Sequence, residues 1–105
     1  MASIAPEALL HRIDRRDTVT VIDVRTAREF AAGHVPGAVN IPFQRIATGA
    51  TEVAAATHAD VIVYCGHGPR AWIAGAALRR AGFRSVTYLR GHWAGWRRAR
   101  LRTER

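Results

Sequence analysis

The sequence predicts an α/β sandwich built around a mostly parallel sheet. Three observations predict it. Runs of strand-forming residues, Val19–Val24 and Val86–Leu89, alternate with segments whose apolar residues recur at helical spacing. The run Val61-Ile62-Val63-Tyr64 is apolar at every position, as expected of a central strand covered on both faces. A helical segment begins a few residues after that run, so strand and helix follow one another as parallel sheets require.

Ala5-Pro6-Glu7 predicts the first helix start. Proline suits an early helical position, where its missing N–H is no loss, and an acid in the first turn meets the positive end of the helix dipole. Leu9, Leu10 and Ile13 then supply one apolar face. Val19–Val24 reads as a buried strand. Thr26-Ala27-Arg28-Glu29 fits a capping box, which predicts a helix that starts there and ends near Gly33. Val35-Pro36-Gly37 reads as a turn, and Val39-Asn40-Ile41 as a short strand that Pro42 ends. Between 44 and 60, Ile46, Val53 and the alanines suggest short helical pieces broken at Thr48-Gly49. Ala71, Ala74, Leu78 and Ala81 predict a helix over Arg70–Ala81, with Gly82 as its C-cap. Val86–Leu89 is a further short strand. Trp93–Leu101 predicts a terminal helix with arginines in its last turn, where they suit the dipole.

The 105 residues amount to one domain, residues 1–105, with one core and little stability to spare. No apolar run approaches the length of a membrane span, and no basic segment followed by an apolar one opens the chain. The expected location is the cytoplasm, with no membrane partner. One cysteine excludes an intrachain disulfide and a zinc site built on several thiolates, and no metal or cofactor is expected. The formal charge is +8, and all 16 basic residues are Arg. Such a balance attracts anions. The arginines are nevertheless spread along the chain, and only Arg97, Arg98, Arg100, Arg102 and Arg105 cluster. No nucleic-acid motif accompanies them, so they read as a solvated basic surface and no nucleic-acid partner is expected.

The candidate chemistry lies in Cys65-Gly66-His67-Gly68-Pro69-Arg70, which joins the buried run to a helix N-terminus. In an open α/β sheet, sites form beyond the carboxyl ends of the strands, where Cys65 falls. Two glycines allow backbone conformations that let successive N–H groups curl into an anion cradle. The helix adds its positive end, and Arg70 adds a fixed charge. All of these favour a thiolate, the nucleophilic form of cysteine. A glycine-rich turn also serves plain chain reversal, and a lone cysteine also serves as packing, so the hexapeptide alone supports either reading.

Four motifs together resemble the rhodanese family and cover the chain from about Ala5 to Leu101. They are Asp23-Val24-Arg25 followed by Glu29-Phe30; Gly33-His34-Val35-Pro36-Gly37-Ala38 running into Asn40-Ile41-Pro42; Cys65, Gly68 and Arg70 in C-x-x-G-x-R spacing; and Leu89-Arg90-Gly91 with Trp96. The resemblance implies a rhodanese-like three-layer sandwich, with a mainly parallel five-stranded sheet and helices on both faces. It implies a sulfurtransferase in which Cys65 accepts a sulfane sulfur as a persulfide. The loop, Gly66, His67, Gly68, Arg70 and Ala71, would hold the substrate anion and the persulfide. Asp23, Arg25 and Glu29 look like a supporting set, with Arg25 and Glu29 four apart and so placed to pair. His34 is expected to brace its turn. The implied partners are a small anionic donor such as thiosulfate and a thiol or cyanide acceptor. A thioredoxin-like or other protein acceptor is the alternative, in a sulfur-carrier module with weak small-molecule turnover.

Loop length bears on a neighbouring chemistry. Phosphatases related to this fold carry one more residue between Cys and Arg, whereas four separate Cys65 from Arg70 here, as in the sulfur-handling form. Mercaptopyruvate-using relatives favour a different loop, without His67 and Arg70, which points to thiosulfate or a persulfide donor. Three positions depart from the pattern. His92 stands where the family has a second glycine; it either places a hydrogen-bonding group near the active face or, the slightly favoured reading, points to solvent. Pro69 removes one loop N–H. His67 adds positive potential when protonated, or is simply an exposed loop side chain. Trp96 is expected in the core, Trp72 in packing or as a pocket wall, and Trp93 has no assigned role.

Overall fold

The computed structural model describes residues 2–47 and 60–105. Among these residues, five strands alternate with five helices: β1 (Ser3–Ile4), α1 (Pro6–Asp14), β2 (Val19–Asp23), α2 (Ala27–Ala32), β3 (Val39–Asn40), α3 (Phe43–Ala47), β4 (Asp60–Tyr64), α4 (Pro69–Arg80), β5 (Val86–Leu89) and α5 (His92–Arg98). The strands form one sheet in the order β1-β5-β4-β2-β3, and every pairing is parallel. The fold is therefore the rhodanese-like α/β sandwich that the motifs imply.

Alternation along the central strands sorts side chains into two cores. Ile22 and Val24, with Val61, Val63 and Cys65, face α3 and α4, where they meet Ile46, Ala74 and Leu78. Val21, Ile62 and Tyr64 face the opposite side and meet Leu9, Leu89 and Trp96. This is why Val61–Tyr64 is apolar throughout: successive residues go to opposite, equally covered faces. Each fully buried aliphatic side chain contributes about 1.5–3 kcal/mol.

Helix boundaries follow the local chemistry. Thr26 and Glu29 make both bonds of the capping box, with Thr26 N–H donating to Glu29 Oε1 at 2.9 Å and Glu29 N–H to Thr26 Oγ1 at 3.2 Å. The turn after α2 is closed by Ala38 N–H on the Val35 carbonyl at 3.0 Å, with Gly37 at φ +79°. Gly82, at φ +102°, follows the end of α4. Helix α5 is shorter than the expected 93–101, because Arg100 turns to φ +57° and cannot continue it. Strand β1 was not foreseen. Two residues carry no periodicity, and Ser3–Ile4 is a strand only because it pairs with Tyr88 and Leu89. The expected pieces around Val53 and the Thr48-Gly49 break lie outside the described residues, whereas Ile46 is helical and buried in α3.

The topology creates a crevice between β2 and β4. From β2 the chain runs outward to β3 and then crosses to β4 on the other side of β2. The carboxyl ends of β2 and β4 therefore diverge into loops leaving in different directions, a switch point of the kind that binds ligands. Asp23 lies opposite Tyr64 in register, so residues 24–29 and 65–70 emerge side by side.

Candidate active site

Cys65 is the first residue beyond β4, and the loop curls back on it. Gly68 N–H donates to Cys65 Sγ at 2.9 Å. Gly68 adopts φ +137°, open to glycine and strained for any other residue, and this turns its N–H inward. Gly66 serves differently: a Cβ there would lie 3.2 Å from Arg70 Nη2, so its bareness makes room for that side chain. Pro69 takes the first turn of α4, and Trp72 N–H on the Gly68 carbonyl at 3.0 Å closes that turn. The outer faces of the loop peptides are tied to α5. Trp93 N–H donates to the Cys65 carbonyl at 2.9 Å and Ala94 N–H to the Gly66 carbonyl at 3.3 Å. Cys65 itself is only 1% exposed and belongs to the core cluster on the α3–α4 side of the sheet. Ala71 is fully buried, its methyl part of the α3–α4 core, while His67 is exposed.

The expected supporting set is present with its partners rearranged. Arg25 pairs with Asp23 rather than Glu29: Arg25 Nε lies 3.1 Å from both carboxylate oxygens and Nη2 lies 2.8 Å from Oδ2. Both residues are buried, and Arg25 Nη2 also donates to the Gly33 carbonyl at 2.7 Å. The Arg25 guanidinium lies over the Trp93 ring, 4.7 Å from its centre, which gives Trp93 a role the sequence left open. Asn40 Nδ2 bridges the carbonyls of Asp23 and Arg25 at 3.0 Å each. Glu29 reaches the loop instead. Its carboxylate accepts from Arg70 Nη1 at 2.7 Å and Nη2 at 3.3 Å. That bond, chiefly, holds the Glu29 carboxyl down to about 2, and the same carboxylate raises Arg70 further. His34 is buried and braces its turn, Nδ1 lying 2.8 Å from the Phe30 carbonyl and the two rings stacked at 3.6 Å.

His92 takes the less favoured of its two readings. It is 7% exposed rather than in solvent, and Cys65 N–H donates to its Nδ1 at 3.3 Å. Burial, chiefly, lowers its pKa, with the charge of nearby His67 acting in the same direction. A glycine at position 92 would accept the left-handed φ of +55° at no cost, so the departure from the family pattern was the signal for this residue. Trp72 is 50% exposed and is a wall rather than core: its ring lies 3.3 Å from where a Gly68 Cβ would be. Two cavities are lined by residues that hold the loop, Glu29 and Trp93 in one, Trp72 and His92 in the other. One, of about 400 Å³, is lined by Arg25, Glu29, Gly33, Trp93, Arg97 and Arg105. The other, of about 300 Å³, is lined by Ser3, Trp72, Tyr88, Arg90, Gly91 and His92. Among the described residues, no three His, Cys, Asp or Glu side chains are grouped to hold a metal, and no helix is long and apolar enough to cross a membrane.

A buried strand is thus followed directly by a cysteine whose sulfur accepts a glycine amide. The model of the rhodanese-like domain matches residues 5–99. The chain belongs to the rhodanese-like family. A sulfurtransferase from Allochromatium vinosum is 34% identical over 95 residues, which cover 90% of this chain and 87% of that protein. A putative sulfur carrier protein of Bacillus subtilis, YrkF, is 28% identical over 79% of this chain, which spans only 44% of that protein. The rhodanese-like domain of an Anabaena protein superposes with a TM-score of 0.84 at 27% identity, covering 99% of this chain and 79% of that one. A thiosulfate sulfurtransferase from Pseudomonas aeruginosa superposes with a TM-score of 0.88 at 25% identity, over all of this chain and 20% of that one. The rhodanese-like fold thus extends over the described sheet and the helices on both of its faces.

Proposed function

We propose that this rhodanese-like protein transfers a sulfane sulfur from thiosulfate to a thiol or cyanide through a persulfide on Cys65. The observation that carries the reading is the Gly68 N–H held 2.9 Å from Cys65 Sγ. A donor aimed at Sγ stabilises negative charge there, on the attacking thiolate and again as Sγ becomes the leaving group when the persulfide is discharged. In the first half-reaction the Cys65 thiolate attacks the outer sulfur of thiosulfate. The sulfur–sulfur bond of the donor breaks and sulfite leaves with its electron pair. In the second, cyanide or a thiolate attacks the outer sulfur of the persulfide, the bond to Sγ breaks, and the Cys65 thiolate returns. The cycle is ping-pong, with no net redox change. Arg70, at the loop rim and facing Glu29, supplies the cation that meets the incoming dianion. The related thiosulfate sulfurtransferase supports thiosulfate as the donor, and a cytoplasmic setting suits a free thiol.

Intact-mass measurement after incubation with thiosulfate tests this reading. The protein should gain about 32 Da, one sulfur held as a reversible thiol cap, and lose it on a thiol chase. Cys65→Ser should abolish both the gain and turnover. Normal turnover by the Ser variant refutes the assignment. The resemblance to a putative sulfur carrier favours a second reading, in which a protein donor loads Cys65 and small-molecule turnover is weak. Faster loading by a protein persulfide than by thiosulfate would select it.

A further inference from the structure

The cavity lined by Trp72, Arg90 and His92 is the built feature that the sulfur-transfer cycle leaves unassigned. His92 is more than nine-tenths buried, and its two ring nitrogens have separate duties. Nδ1 accepts the Cys65 N–H at 3.3 Å, which fixes the neutral tautomer with its proton on Nε2. No described residue accepts that second proton. Nε2 lies 3.5 Å from where a Gly68 Cβ would be, beside the residue whose N–H reaches Sγ. A donor is thus left over beside Gly68, on a residue that lines the cavity and whose neighbour Gly68 contacts Cys65 Sγ. Arg90 lines the same cavity. Its side chain donates from Nε to Ser3 Oγ at 3.4 Å, and no carboxylate pairs with it among the described residues. The half-exposed Trp72 ring forms the apolar side. The volume of about 300 Å³ is at the lower end of small-molecule sites.

We propose that this cavity is the subsite for a small thiol acceptor that carries a carboxylate, with Trp72 against its carbon chain and His92 Nε2–H and Arg90 on the carboxylate. The inference rests on the sulfur-transfer reading above and names the acceptor class for it. The bound thiol loses its proton to solvent. Its thiolate attacks the outer persulfide sulfur, the bond to Cys65 Sγ breaks, and the acceptor leaves as a persulfide while Cys65 regains its thiolate. His92 and Arg90 position the acceptor and take no part in bond making.

The test pairs 3-mercaptopropionate with 3-mercapto-1-propanol, which share chain length and differ in the carboxylate. Each discharges protein preloaded with thiosulfate, and the ratio of their KM values is read. His92→Asn keeps an oxygen where Nδ1 accepts the Cys65 N–H and tolerates the left-handed backbone, but lacks the Nε2 donor. Arg90→Gln removes the charge. Each variant should reduce the preference for the carboxylated thiol about tenfold, about 1.4 kcal/mol, through KM rather than kcat. An unchanged ratio in both variants overturns the proposal. So does a ratio that collapses in Arg97→Ala instead, which would put the carboxylate in the cavity between α2 and α5. A binding measurement separates this outcome from failure of sulfur transfer itself. 3-(Methylthio)propionate, which cannot accept sulfur, should shift the His92 ring ¹⁵N resonances of unloaded protein, and 3-(methylthio)-1-propanol should not. If thiosulfate fails to load Cys65 yet this shift appears, the transfer reading falls and the carboxylate subsite stands. Equal shifts from both compounds, or none, overturn the subsite.

Discussion

The carboxylate of Glu29 holds both terminal nitrogens of Arg70, at 2.7 and 3.3 Å, and so ties the first turn of α2 to the loop around Cys65. The two residues are 41 apart in sequence and meet only because β2 and β4 are neighbours in the sheet. The same carboxylate caps its own helix, so one side chain links secondary structure, loop position and site charge.

This bond makes stability depend on pH. The Glu29 carboxyl is held down to about 2 from its ordinary 4.5, so its ionised form is favoured in the folded state. Its contribution is complete above pH 4.5 and is lost as pH falls from there through about 2. The pair is partly exposed, and solvent screening keeps the contribution to about 1 kcal/mol or less. Glu29→Gln, which retains the cap, should be less stable than wild type by that amount in urea at pH 7. The gap should close as pH approaches 2. A gap that stays constant over this range contradicts the assignment.

Arg25 and Asp23 are buried together, and removing one leaves the other a lone charge in the core. Arg25→Ala should therefore cost about 3–5 kcal/mol, a large share of a small domain's stability. Urea denaturation measures it. Arg25→Lys should recover little, because an ammonium cannot span both carboxylate oxygens and the Gly33 carbonyl while lying over Trp93. A loss under 1 kcal/mol for the Ala variant would mean that water reaches the pair.

Much of this architecture was legible because its signals are local. The Thr26–Glu29 cap, the Val61–Tyr64 run and the Ala71–Leu78 spacing each encode an element within one or two turns, and each element formed. Partnership across the sheet was not legible in the same way. Spacing alone made Glu29 a partner for Arg25. In the fold, Asp23 meets Arg25 at the end of β2, and the adjacent loop brings Arg70 to Glu29. His92 departed visibly from the family pattern, but its inward direction depends on a left-handed backbone and on Cys65 arriving from β4. The arginine-rich tail carried no periodic signal either. Residues 102–104 are fixed by contacts far away in sequence, Arg102 on Asp14 and Glu104 in a backbone bridge with His34.

Two helical glycines should respond alike in stability and differently in sulfur transfer. A Cβ on Gly75 would overlap the Tyr88 hydroxyl, and one on Gly95 would come within 2.7 Å of the Arg90 carbonyl. Alanine at either forces a helix off its strand or the following turn, at about 1–3 kcal/mol. Helix α5 also supplies the Trp93 and Ala94 N–H groups that hold the carbonyls of Cys65 and Gly66. Gly95→Ala should slow sulfur loading from thiosulfate under conditions where it remains folded. Gly75→Ala, on the face of α4 packed against β5, should slow it less. Equal loss in both would mean that α5 does not set the loop.

The burial of Cys65 gives a last prediction. At 1% exposure the sulfur sits behind Gly66–Gly68, so entry depends on reagent size. A bulky maleimide should react with native protein at least about tenfold more slowly than with the urea-unfolded chain, since modification then requires local opening of the loop. Thiosulfate is compact and doubly charged, and its terminal sulfur needs only to pass the loop rim where Arg70 stands. Loading from thiosulfate should therefore proceed in the native protein while the maleimide lags, and the mass of each adduct tells them apart. Equal maleimide rates on native and unfolded chains would mean that the loop is open at rest. The Gly68 N–H contact would then not define the resting site.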